Sequence, residues 1–209
     1  MPAEGGGTGS PRIGLALSGG GARGFAHIPV IEALDEMGVA PTAIAGTSMG
    51  AIIGSGRAAG MRGTEIREFV IELFRNRTDI LGRLWQLRPK PMRDFFGEGS
   101  FAIGQFDAER VLDTFMPEAV PRDFAELGTP LKVVAADFYG WRQVVLDSGP
   151  LFPALAASAA IPMLFRPARI DGTIMVDGGA VNPLPSDVIS GEADIVIAVD
   201  VVGGPIDRN

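Results

Sequence analysis

Cysteine is absent from the 209 residues, and histidine occurs once, as His27. Without thiols the chain forms neither a disulfide nor a thiolate metal site. A single imidazole excludes a metal centre built from several. Zero cysteine suits a reducing compartment, so a cytoplasmic location is expected. No apolar run reaches the ~20 residues a membrane-spanning helix needs, so any contact with a bilayer is expected to be peripheral. The opening MPAEGGGTGSP lacks the charged and apolar regions of a signal peptide. Residues 1–11 are expected to form a flexible tail, ahead of one domain over residues 12–209.

Hydrophobic residues make up 46% of the chain, the level that supports a packed core. The net charge of −7 is unevenly spread: residues 57–93 hold nine basic and four acidic side chains. A basic segment on an acidic chain suits either an anionic lipid surface or a solvated helix. No nucleic-acid partner is expected.

Residues 13–18 (IGLALS) read as a short buried parallel strand running into glycines. A helix is expected over 25–37, where Ile28, Ile31, Leu34 and Met37 recur at near-helical spacing. Residues 43–46 read as a second strand that feeds a small-residue helix. Residues 64–75 are amphipathic, with Ile66, Phe69, Val70 and Phe74 on one face. Residues 79–104 read as irregular, a lid or lipid-facing loop with Trp85, Leu87, Phe95, Phe96 and Phe101. A helix capped by Asp107 follows. Strands are expected at 131–136 and 143–146, a helix at 151–160, a hairpin through Asp171-Gly172, and a last buried strand at 195–201. The alternation predicts a three-layer α/β/α fold with a mostly parallel central sheet.

Three motifs carry chemistry. Gly46-Thr47-Ser48-Met49-Gly50 is a G-x-S-x-G between a strand and a helix, the setting of a nucleophile elbow. There the serine oxygen would project above a helix N-terminus, whose partial positive charge favours an oxyanion. Gly19-Gly20-Gly21-Ala22-Arg23-Gly24 also follows a strand and opens a helix. Its amides can hold an anion, with Arg23 fixing the loop or adding charge. Asp177-Gly178-Gly179, the third motif, follows a strand; alone it is an ordinary turn.

The glycine loop also satisfies G-x-G-x-x-G at Gly19, Gly21 and Gly24, so a dinucleotide-binding domain is the first rival. That motif wants an acid ~20 residues on, to hold the ribose. Ile44 to Ser48 contains none. A serine nucleophile needs a base, and no histidine follows Ser48. Either His27 serves in an unusual order, or a carboxylate takes the proton. Asp137, Asp177 and Asp200 lie near predicted strand ends, and only Asp177 has flanking glycines. A non-catalytic lipid-binding protein with the same fold is the second rival.

Together the motifs resemble those of bacterial patatin-like phospholipases, including Ala157 to Pro162 (ASAAIP) and Asn182 to Pro185 (NPLP). The resemblance implies a Ser48–Asp177 dyad and an oxyanion hole from the loop amides, here Gly19 to Ala22. His27 would be structural. It also implies hydrolysis of phospholipids, lysophospholipids or simple acyl esters with no metal and no cofactor. Residues 12–209 would be the catalytic domain, and exposed aromatics raise a homodimer as an expectation.

Overall fold

A computed structural model of the chain describes residues 10–75, 77–87 and 106–203. The strands are β1 (Ile13–Leu17), β2 (Ala43–Thr47), β3 (Leu131–Asp137), β4 (Arg142–Leu146), β5 (Ala168–Ile170), β6 (Thr173–Asp177) and β7 (Ile195–Val199). The helices are α1 (His27–Glu36), α2 (Met49–Ala58), α3 (Gly63–Arg75), α4 (Arg77–Leu87), α5 (Ala108–Phe115) and α6 (Leu151–Ser158). A 3-10 turn, Gly21–Ala26, leads into α1.

Strands β7, β1, β2 and β3 pair in parallel in that order. Strands β4 and β6 pair antiparallel with β3, and β5 pairs antiparallel with β6. Thus β1, β2, β3, β5 and β7 share one direction in a mixed sheet. Side chains alternate between its faces. Leu15, Leu17 and Ile44 pack with Ile31 of α1, Ile53 of α2 and Leu155 of α6. Ala16, Ala43 and Ala45 turn to the other face, against Ile189, Leu184 and Val188. Their small size lets that chain segment lie close to the sheet. Helices therefore cover one face. On the other, the layer seen here is a segment with one 3-10 turn, Asp187–Ile189.

Two expectations are corrected. Residues 79–104 are not irregular from their start, because α4 runs to Leu87. The prolines that suggested a loop, Pro89 and Pro91, come only after it; residues 88–104 lie outside the described residues. Strand β7 is not buried: Ile195 is 51% exposed. Among the described residues β7 pairs on one side only, with β1. The Asp107 cap is as expected, accepting from the Arg110 amide. So is the hairpin turn, with Asp171 and Gly172 both at positive φ. No helix among the described residues is long and apolar enough to cross a membrane.

One feature of pairing places the site. Strand β4 lies along one edge of β3 from Val133 to Asp137. The opposite edge is shared. Strand β2 holds it as far as Thr47, opposite Val134. Strand β6 takes over one residue later, with Asp177 opposite Ala135. The ends of β2 and β6 therefore abut, which brings Ser48 and Asp177 to one point.

Candidate active site

Ser48 sits between β2 and α2 with φ 52° and ψ −122°. A non-glycine residue reaches that conformation only at a cost of ~1–3 kcal/mol, so the surroundings must hold it. They do so in several places. The Ser48 amide donates to Ser158 Oγ at 2.8 Å, and the Ser158 hydroxyl donates to the Val134 carbonyl at 2.6 Å. Thr47 Oγ1 donates to the Asn182 carbonyl at 2.8 Å. Gly46 and Gly50 leave room for the sharp turn: a Cβ on Gly46 would stand 2.5 Å from Ala51 backbone atoms.

The Ser48 hydroxyl donates to Asp177 Oδ2 at 2.6 Å. The other carboxylate oxygen accepts from the Gly179 amide at 2.7 Å. Gly178 is required by packing, since a Cβ there would lie 2.2 Å from the Val134 carbonyl oxygen. Burial pushes the Asp177 carboxyl up from the usual carboxylate range, against the hydrogen bonds from Ser48 and Gly179 that pull it down. A raised value makes the carboxylate a better proton acceptor near neutral pH.

The two other carboxylates have different duties. Asp137 accepts from the amides of Gly140 and Tyr139 and from Arg142, closing the β3–β4 hairpin. Asp200 accepts from the Val202 amide. The structure also settles where the histidine stands. His27 is fully buried, and its Nε2 lies 2.8 Å from the Ser18 carbonyl. A carbonyl only accepts, so Nε2 carries the proton. Nδ1 is buried without a partner. The Ser48 hydroxyl is thus bonded to a carboxylate, while the one imidazole props the strand that precedes the glycine loop.

Gly20 and Gly21 have φ of 151° and 54°, which L side chains rarely adopt. The loop turns through them, and the Arg23 amide donates to the Gly20 carbonyl. The first amides of a helical turn have no acceptor within it. Gly20, Gly21 and Ala22 hold that position here. Gly19 leaves the expected oxyanion set, because its amide donates to the Pro183 carbonyl at 2.9 Å. Arg23 is exposed at the loop's rim, and Gly24 is buried against Met49. Among the described residues no cluster of acids and histidine has the arrangement of a metal site.

Sequence reasoning assigned no role to Ser158, Asn182 or Pro183. All three lie inside the ASAAIP and NPLP segments, whose presence was the only signal. Their task is to hold the ends of β2 and the glycine loop in place.

His27 leads to a pH prediction. Burial holds its pKa below the ordinary value of about 6.5, opposed by the Ser18 carbonyl and the charge of Asp200. Its contribution to stability is then complete above about pH 6.5 and is lost as pH falls toward the folded value. His27→Gln is expected to remove up to about 1.4 kcal/mol per pH unit from the slope of unfolding free energy between pH 6.5 and 5. Urea melts of both proteins across that range check it; identical slopes would mean that His27 charges freely in the fold.

The family model for the patatin-like phospholipases matches residues 15–189. An uncharacterized NTE family protein of Mycobacterium tuberculosis is 38% identical over 200 residues, covering 94% of this chain and 51% of that protein. The Aspergillus fumigatus protein named lysophospholipase nte1 is 29% identical over 198 residues, covering 94% of this chain and 12% of that one. This chain thus spans about half the length of the mycobacterial relative. The crystal structure of VipD from Legionella pneumophila shares the fold, with a TM-score of 0.53 at 17% identity over 84% of this chain and 47% of that chain. By the extent of the family match, the chain belongs to the patatin-like phospholipase family.

Proposed function

We propose that this chain is a metal-independent serine hydrolase of acyl-ester lipids, of the phospholipase A, lysophospholipase or esterase type. The observation that carries the reading is the 2.6 Å hydrogen bond from the strained Ser48 to Asp177. Asp177 takes the Ser48 proton as Oγ attacks the ester carbonyl. The carbonyl oxygen gains the negative charge and is held by the amides of Gly20, Gly21 and Ala22. Each such donor is worth about 2.7–4 kcal/mol in the transition state. Collapse breaks the ester C–O bond, and the proton on Asp177 passes to the leaving alcohol or lysolipid. Water then gives its proton to Asp177 and attacks the acyl-enzyme. Collapse breaks the bond between Ser48 Oγ and the acyl carbon, the proton on Asp177 returns to Oγ, and the fatty acid leaves. This cycle needs no histidine. The name of the fungal relative supports the lipid substrate.

A dinucleotide-binding alternative has less support, because Thr47 and Ser48 stand at the end of β2 where that function wants an acid. The substrate reading includes peripheral membrane contact. Leu81 and Trp85 are each 65% exposed, one turn apart on α4, and offer an apolar surface to lipid.

Fluorophosphonate labelling tests the core of the reading. The wild-type chain is expected to be labelled and to turn over p-nitrophenyl esters in EDTA, and Ser48→Ala to do neither. Full esterase activity in Ser48→Ala would remove the nucleophile from this scheme.

A further inference from the structure

A cavity of about 310 Å³ lies between α2 and the helices α3, α4 and α5. Among the described residues its lining contains no charged or polar side chain. Such a space holds no partners for water and accepts an apolar guest. The cavity begins beside the chemistry. Met49, at its wall, is the residue directly after the nucleophile, and Phe25 belongs to the turn that the glycine loop opens. From there the wall follows one stripe of α2, through Ile52 and Ile53 to Gly56. Seven residues of helix carry it ~10 Å from the elbow. Across the space stands the apolar face of α3, from which Phe69, Val70 and Phe74 line the cavity, with Phe25 and Phe74 edge to face at 5.7 Å.

We propose that this cavity binds the acyl chain of the ester and sets its preferred length. The inference rests on the serine hydrolase reading. An ester whose carbonyl sits at Ser48 starts its acyl chain beside Met49, the neighbouring residue, whose side chain is part of the apolar wall. The polar head group is left outside. At about 30 Å³ for each group of water or methylene size, the space holds on the order of ten chain carbons. Gly56 fixes the far end. A Cβ there would only touch Ile66 at 3.5 Å and Met61 Sδ at 3.6 Å, so side-chain atoms beyond it would fill the space that a longer chain needs.

The test is a chain-length series of p-nitrophenyl esters from acetate to palmitate. The wild-type kcat/KM is expected to peak at medium length, near C8–C12. Gly56→Leu is expected to lower the ratio of kcat/KM for decanoate over butyrate at least tenfold. Val70→Trp narrows the opposite wall from a half-buried position and is expected to shift the ratio the same way, so the test survives misfolding of either variant. Binding of the fluorescent fatty acid cis-parinaric acid to Ser48→Ala protein gives a readout free of turnover. Its affinity is expected to fall at least tenfold when Gly56→Leu is added. Short esters turned over with an unmoved length profile in both folded variants would overturn the proposal and leave the hydrolase standing. Loss of fatty-acid binding in a chain that hydrolyses no ester would keep the cavity's ligand and overturn the hydrolase. Fatty-acid binding insensitive to both substitutions would mean that another occupant, such as residues 88–105 of the chain itself, fills the space, and would overturn the proposal.

Discussion

At pH 8, Asp177→Asn is expected to lower kcat/KM for a p-nitrophenyl ester roughly 10³–10⁴-fold while raising Tm. The two effects come from one carboxylate. Asparagine cannot take the Ser48 proton, so the proposed nucleophile must attack from its weak, neutral form. The geometry survives: the amide oxygen can accept from Gly179 and the amide nitrogen can donate to Ser48, replacing the 2.7 and 2.6 Å bonds. What disappears is the buried charge. Asp177 has a folded pKa above its unfolded value because burial disfavours the carboxylate. Its contribution to stability is therefore full only below the ordinary value of about 3.9 and is lost as pH rises through the folded value. At pH 8 the wild-type fold carries that penalty and the asparagine variant does not. The same shift places the acid limb of the wild-type kcat/KM profile above about pH 3.9. Scanning calorimetry and a pH–rate profile measure both halves. Unchanged turnover in Asp177→Asn would transfer the base to another group. A lower Tm with lost turnover would mean that the carboxylate's two hydrogen bonds outweigh its desolvation.

The parts of this molecule that are legible in the sequence are those where only one residue type fits. Gly20 and Gly21 need positive φ, and Ser48 needs small neighbours at Gly46 and Gly50. Each leaves a mark that reads without knowing the partner. The alternation of Leu15, Ala16 and Leu17 likewise announces a strand buried on both faces. Asp177 is legible only by elimination, because an aspartate followed by glycines is an ordinary turn until the chain is seen to lack a usable histidine. Ser158 is not legible at all. Its bond to the Ser48 amide spans 110 residues, and a serine in a run of alanines carries no period or spacing that foretells it. Gly19 misleads for the same reason. It reads as one amide of an anion-binding loop, yet the distant carbonyl of Pro183 takes its hydrogen. Helix α4 is missed because the prolines and aromatics after Leu87 dominate the composition of the stretch. The 3.6-residue signal from Ile80 and Leu84 is short by comparison, and both side chains face the apolar cavity. Local chemistry survives translation from sequence; contacts closed by the fold do not.

Gly50→Ala is expected to lower Tm by about 5–10 °C and kcat/KM at least 100-fold, whereas Gly82→Ala is expected to raise Tm slightly. Both glycines lie inside α-helices, α2 and α4. Helix propensity alone predicts the same gain for each, about 1 kcal/mol. The surroundings separate them. At Gly82 an added methyl meets nothing within 4 Å among the described residues. At Gly50 it would stand 2.3 Å from the Leu17 carbonyl oxygen and 2.5 Å from that of Ser18. Those atoms are backbone, at the end of β1, and cannot swing aside as a flexible side chain could. The overlap outweighs the propensity gain, since overpacking costs about 1–3 kcal/mol even when side chains can adjust. Relief requires the start of α2 to move away from β1. That start carries Ser48, and the end of β1 carries the glycine loop, so the same displacement separates the proposed nucleophile from the proposed oxyanion donors. A misplacement of about 1 Å at a reacting centre costs ~10²-fold in rate. Thermal melts and ester turnover on the pair of variants read the two effects separately. If Gly50→Ala matched wild type in both, the close approach of α2 to β1 would not be what holds the elbow against the loop. If Tm fell and turnover held, the contact would serve the fold without setting the distance between nucleophile and loop.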